Sequence, residues 1–178
     1  MSTLDSRCLD AFPNWLRSLG EDAQKLGGLL EQGDTPAPAL RGAAAALTYL
    51  FKSLDLIPDG LEDLGFIDDA FVLRVAAAQV PSGEWDGTGV LAKLAAEAEL
   101  IREFLGADYE RLERYVAKLE TGSARGRSVA QILEDAALRS DFVREVKQWC
   151  AGYVAPSFTR DTRSLVKLKS FLATRLPA

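Results

Sequence analysis

The chain has 178 residues, with 21 Lys plus Arg against 26 Asp plus Glu, a net charge of -5, two cysteines and no histidine. Zero histidine excludes Ser-His-Asp and Cys-His catalysis and every His metal ligand. Cys8 and Cys150 form no C-x-x-C and cannot supply a four-cysteine zinc site, so a reduced cytoplasmic setting is expected, with one long-range disulfide as the alternative.

Helical spacing recurs along the chain, and alternating strand patterns are nearly absent. Residues 4–19 and 21–31 read as two short helices, parted by Gly20 and closed by Gly33, with Pro13 kinking or restarting the first. Residues 1–19 hold no apolar signal core, and the longest apolar run, 43–51, is nine residues with Thr48 inside. A membrane span needs about 20, so a soluble chain without a transmembrane segment is expected. Thr35-Pro36 predicts an N-cap with proline at the first helical position, opening an alanine-rich helix from Ala37 to about Ser53. Asp55 to Gly65 is a connector. Asp68 to Val80 is apolar on most faces (Phe71, Val72, Leu73, Val75), which predicts a central helix ended by Pro81-Ser82-Gly83. Trp85 to Gly89 reads as a loop.

Val90 to Leu105 carries Leu91, Leu94, Ala98, Ile101 and Leu105 at three- and four-residue steps. Asp108 is placed to cap a helix from Tyr109 to Leu119. Residues 121–127 are mostly small, with two glycines and two arginines, and read as a flexible joint. Ser128-Val129-Ala130-Gln131 is a capping box. Ser140 is expected to cap Asp141–Cys150, with Gly152 ending it, and Asp161 to cap a last helix through Leu176. The sum is an all-α bundle of seven to nine helices in a single domain, 1–178. Within it, 35–80 forms a helix–connector–helix core and 90–178 a helical extension.

Charge is unevenly placed. Residues 1–50 carry 4 basic and 6 acidic side chains, residues 51–138 carry 9 and 17, and residues 139–178 carry 8 and 3. An acidic middle repels a phosphate backbone, so no nucleic-acid partner is expected. Tail and middle are expected to pair within the fold. The alternative is weak contact of Arg160, Arg163, Lys167 and Lys169, with Phe158 and Phe171 beside them, with an anionic membrane surface. Trp15, Trp85 and Trp149 read as core or core-edge residues.

Residues 45–73 read AALTYLFKSLDLIPDGLEDLGFIDDAFVL. An alanine-rich apolar helix is followed by Asp55-Leu56-Ile57-Pro58-Asp59, a five-residue spacer, Gly65, two apolar residues and Asp68-Asp69. This order and spacing resemble the YkvA-like family of small bacterial domains of unknown function, over residues 35–80. The chain departs from that pattern at Ser53, where the family often has proline, and at Leu61-Glu62, where it often has an apolar-Pro pair. The resemblance implies a fold element and no established activity.

Asp55, Asp59, Glu62, Asp63, Asp68 and Asp69 fall within fifteen residues. Hard oxygen ligands suit Mg²⁺, Mn²⁺ or Ca²⁺, and Asp55, Asp59, Asp68 and Asp69 are the candidate ligands. A calcium-loop register from Asp55 fails at Ile57 and Phe66, where the template needs Asp or Asn and a bidentate Glu. The competing reading is structural. Asp55 would close an Asx turn, Asp59 and Glu62 would form a capping box, and Asp68 would cap the central helix with Asp69 in its first turn. Gly87-Thr88-Gly89 lacks the third glycine of a dinucleotide loop, and Gly122 to Arg127 lacks the Lys-Ser/Thr of a phosphate loop. With no complete catalytic set, the leading expectation is a non-catalytic interaction or structural module, bound to a protein partner or self-associating. A hard-cation-dependent enzyme or metal-binding protein, and peripheral membrane association, are the two alternatives.

Overall fold

The computed structural model describes residues 1–52, 55–81 and 89–178. Among them are eight α-helices: α1 (Thr3–Glu31), α2 (Ala37–Tyr49), α3 (Ile67–Gln79), α4 (Gly89–Leu105), α5 (Tyr109–Lys118), α6 (Val129–Glu134), α7 (Ala136–Gly152) and α8 (Thr162–Arg175). The fold is an all-α bundle around one contiguous hydrophobic core. Helix α3 is its axis: Ile67 through Ala77 are all buried, and α3 packs against α1, α2, α4 and α5. Phe12 lies edge-on to both Phe71 (5.1 Å) and Phe104 (5.2 Å), locking α1, α3 and α4 together. Among the described residues, no helix is long and apolar enough to cross a membrane.

Residues 3–31 form one continuous helix where the sequence predicts two. Proline 13 has no N–H for the carbonyl of Leu9, and Arg160 Nε donates to that carbonyl instead (3.1 Å). Gly20 leaves a shallow site on α1 where the Tyr153 ring lies 3.3 Å from the position a Cβ would take. The Tyr153 hydroxyl donates to the carbonyl of Leu16 (2.7 Å). Both apparent helix breakers are therefore docking points for the segment between α7 and α8.

Three caps differ from expectation. Pro36 occupies the N-cap position of α2, while the Thr35 hydroxyl donates to the carbonyl of Leu29 (3.0 Å). Asp108 makes no cap bond and pairs with Arg111 (2.8 Å), whose guanidinium donates to the Ala173 and Pro177 carbonyls at the end of α8. Asp135, not Ser140, caps α7, accepting from the N–H groups of Ala137 and Leu138, so Ser140 lies inside the helix. The Ser128–Gln131 capping box and the Asp161 cap form as predicted.

The expected joint at 121–127 is an ordered hairpin of β1 (Ser123–Ala124) and β2 (Arg127–Ser128). Arg125 (φ 52°) and Gly126 (φ 79°) take the positive φ that a tight primed turn requires. The expected loop at 85–88 and Trp85 lie outside the described residues.

The basic tail pairs mainly with α1 rather than with the acidic middle. Lys147 bridges Glu31 (2.9 Å) and Arg160 bridges Asp10. The reason is placement: α7 runs along α1, so the nearest carboxylates belong to the N-terminal helix. Arg127 with Glu145 joins middle to tail with the opposite sign.

Candidate functional site

Tyr49, the last residue of α2, is fully buried. Its hydroxyl donates to Asp68 Oδ2 (2.5 Å) and accepts from the Leu56 N–H (2.8 Å). The Ile57 N–H donates to the same Asp68 oxygen (3.2 Å). One carboxylate thus ties the end of α2 and the Leu56-Ile57 turn to the start of α3. Asp68 does not cap α3. Phe66 holds the N-cap position in the left-handed region, with no side-chain cap.

The rest of the connector is a run of turns, with Leu61 N–H on the Pro58 carbonyl (3.0 Å) and Gly65 N–H on the Leu61 carbonyl (2.9 Å). No helix begins at Asp59, so the Asp59–Glu62 capping box does not form. A Cβ at Gly65 would collide with the Asp59 carbonyl oxygen, which makes glycine necessary there. Asp63 (φ 67°) and Phe66 (φ 66°) take left-handed conformations that cost about 1–2 kcal/mol each. Neighbours hold them: Asp63 accepts from the Thr159 hydroxyl (2.8 Å), and Phe66 packs on Tyr153 (5.4 Å) and Trp149 (6.1 Å).

Asp55, Asp59, Asp68 and Asp69 are brought into one electrostatic neighbourhood. Asp68 and Asp69 are 1% and 2% exposed, Asp55 is partly buried and Asp59 is at the surface. Among the described residues, three oxygens, Asp55 Oδ1, Asp68 Oδ1 and Asp69 Oδ2, are buried with no hydrogen-bond partner. The expected Asx turn at Asp55 does not form, because the Ile57 N–H two residues on donates to Asp68 instead. Burial pushes Asp55 up to about 7, with Asp68 and Asp59 adding to the rise. Burial raises Asp68 to about 6 against the opposing Tyr49 hydroxyl and Ile57 N–H. Asp69 stands well above the carboxylate range, through burial and then the charges of Asp68, Asp59 and Asp55. Burial also raises Asp59. Such a set does not stay fully ionised and unpaired: it takes up protons or a cation. Among the described residues, no three His, Cys, Asp or Glu side chains are arranged to hold an ion between them. Glu62 is exposed and Asp63 is engaged by Thr159.

Beside the cluster, the end of α2, the connector, the hairpin and α7 enclose a cleft of about 720 Å³ lined by Phe51, Lys52, Asp59, Ser123, Arg125 and Trp149. Asp59 belongs to both cluster and cleft.

Sequence reasoning missed Tyr49 and a second buried centre. Arg74 on α3 is fully buried, with Nε on Glu97 (2.8 Å), a terminal nitrogen on Asp22 (3.4 Å) and its guanidinium 4.2 Å from the Trp15 ring. Lys93 (2.8 Å) and the Ser18 hydroxyl (2.9 Å) complete the shell of Asp22. The available signal was a lone arginine in the otherwise apolar run 70–78. Cys8 and Cys150 are unbridged, and burial lifts their thiols to about 12 and about 11, which leaves no thiolate nucleophile at neutral pH.

A protein family described as "Protein of unknown function (DUF1232)" matches residues 39–74, nearly all of α2, the connector and α3 as far as Arg74. That is 36 of 178 residues. No curated protein and no solved structure matches the chain.

Proposed function

We propose that the protein is a non-catalytic helical interaction module whose connector carboxylates take up a hard divalent cation, Mg²⁺ or Mn²⁺ in preference to Ca²⁺. The observation that carries this is the trio of buried, unpartnered oxygens on Asp55, Asp68 and Asp69. Ca²⁺ takes about six to eight oxygens, whereas Mg²⁺ keeps several waters and needs only one or two carboxylates. Asp59 is exposed, Asp55 partly buried, and Asp68 and Asp69 buried. The non-catalytic part rests on the chain's chemistry: there is no histidine, and both thiols are raised out of range. The segment reads as YkvA-like, and the two free cysteines support a reducing, cytoplasmic setting.

Thermal unfolding with each ion against chelator tests the reading. At a hundred times Kd a bound ion adds about 2.7 kcal/mol, a rise of about 5–10 °C. Asp55→Asn with Asp69→Asn is expected to abolish the rise. No shift with any ion overturns the site. Turnover of a phosphate or carboxylate ester that is lost in Asp55→Asn would move the protein to the hydrolases.

A second reading rests on α8. Its outer face exposes Arg163, Val166, Lys167 and Lys169, with Val166 65% exposed. This combination fits weak contact with an anionic lipid surface. Salt-sensitive flotation with phosphatidylserine vesicles is expected, and flotation unchanged in Arg163→Glu with Lys167→Glu excludes it.

A further inference from the structure

We propose that the cleft beside the connector binds a phosphate monoester carrying a planar ring, the class to which a mononucleotide belongs. This inference does not depend on cation binding at the carboxylates. The cleft draws its lining from places far apart in sequence: Phe51 and Lys52 after α2, Asp59 in the connector, Arg125 at the hairpin tip and Trp149 on α7. About 720 Å³ lies within the range of small-molecule sites, roughly 300–1,000 Å³.

Charge points to the ligand's head. Lys52 and Arg125 each lie over an aromatic ring, Lys52 5.4 Å from the Tyr115 centroid and Arg125 4.7 Å from that of Phe51. Neither is within ion-pair distance of a carboxylate among the described residues, although Lys52 feels the field of Asp55. Several cations elsewhere are held by carboxylates, Arg7 by Glu103, Arg74 by Asp22 and Glu97, Lys147 by Glu31, whereas Lys52 and Arg125 line the same cleft. Two unpaired cations match a phosphate monoester, which carries about -1.5 to -2 charges at neutral pH, better than a single carboxylate. The guanidinium adds a planar fork for phosphate oxygens. Among the described residues, Asp59 is the one anion of the lining, which leaves an excess of one positive charge there.

Trp149 points to the ligand's body. It is half-buried and stacked on Tyr153 with centroids 5.0 Å apart, so the indole is already held in place. A braced ring at a cleft wall offers a stacking surface to a planar group at little entropic cost.

Calorimetric titration with AMP, adenosine and inorganic phosphate, all in chelator, tests the proposal without involving the cation. AMP is expected to bind saturably, with adenosine and phosphate each weaker by about tenfold or more. Lys52→Ala with Arg125→Gly is expected to reduce AMP affinity to that of adenosine. The glycine also suits the positive φ of position 125, so the hairpin survives, and a circular-dichroism melt checks the fold. Trp149→Leu is expected to reduce AMP affinity to that of phosphate. Amide shifts of residues 123–125 on adding AMP locate the site. Absence of AMP binding up to about 10 mM, equal binding of AMP and adenosine, or an unchanged affinity in the Lys52/Arg125 variant overturns the proposal. Because chelator is present throughout, these outcomes are separate from any failure of the cation site.

Discussion

Helix α3 buries charge in two places and treats it in opposite ways. At its middle, Arg74 meets Asp22, Glu97 and the Trp15 ring, and Lys93 and Ser18 satisfy Asp22 in turn. At its start, Asp68 and Asp69 enter the same core with Asp55 beside them, and three of their oxygens find no partner. The first centre is electrically closed, with two cations and two anions in one network. The second has only anions, softened by a tyrosine hydroxyl and one backbone N–H. A closed network works as a fastener between α1, α3 and α4. An open one keeps capacity for a proton and, under the proposed function, for a cation.

Four changes sharpen or break the contrast. Arg74→Ala leaves Asp22 buried without its arginine and is expected to cost about 3–5 kcal/mol in urea unfolding. A loss below about 1 kcal/mol means the centre is not closed as described. Tyr49→Phe removes the hydroxyl that serves both Asp68 and the Leu56 N–H, and is expected to cost about 1–3 kcal/mol. Asp69→Asn works the other way: a neutral amide replaces a carboxyl that is costly to bury ionised and costly to hold protonated, and is expected to raise metal-free stability by about 1 kcal/mol. A clear destabilisation of that variant would show that the carboxylate is already satisfied.

The smallest effect is in pH. Asp55 at about 7 and Asp68 at about 6 both lie above the carboxylate value of 3.8, so the folded state holds protons that the unfolded state has released. The stability those protons bring is complete below about 4 and is lost as pH rises through about 6 and 7. In chelator, the melting temperature of the wild type is expected to fall relative to that of Asp55→Asn between about pH 4 and pH 8. A constant difference between the two across that range contradicts the assignment. Added Mg²⁺ is expected to restore part of the loss at the upper end.

Much of the fold was legible locally. Helix α4 follows from its three- and four-residue apolar steps, α6 from Ser128 and Gln131, and α8 from Asp161, because periodicity and caps are properties of a few neighbouring residues. The grouping of Asp55, Asp59, Asp68 and Asp69 was legible for the same reason. Helix α1 was misread because the partner that rescues the Leu9 carbonyl, Arg160, lies 151 residues away. The hairpin was misread as a joint because small residues and glycines serve a tight turn as well as a flexible one.

The sequence by itself determined an all-α chain and one acidic connector on a glycine-bent turn, since both depend on residue type and short spacing. Only the tertiary structure decided which carboxylates lose their water, that Tyr49 and not the α3 N-terminus receives Asp68, and that Arg74 closes one charge centre while the other stays open. Those outcomes depend on what each polar group meets after α1, α2 and α4 close around α3. Burial makes the choice costly, because an unpaired group in the core has no water to fall back on.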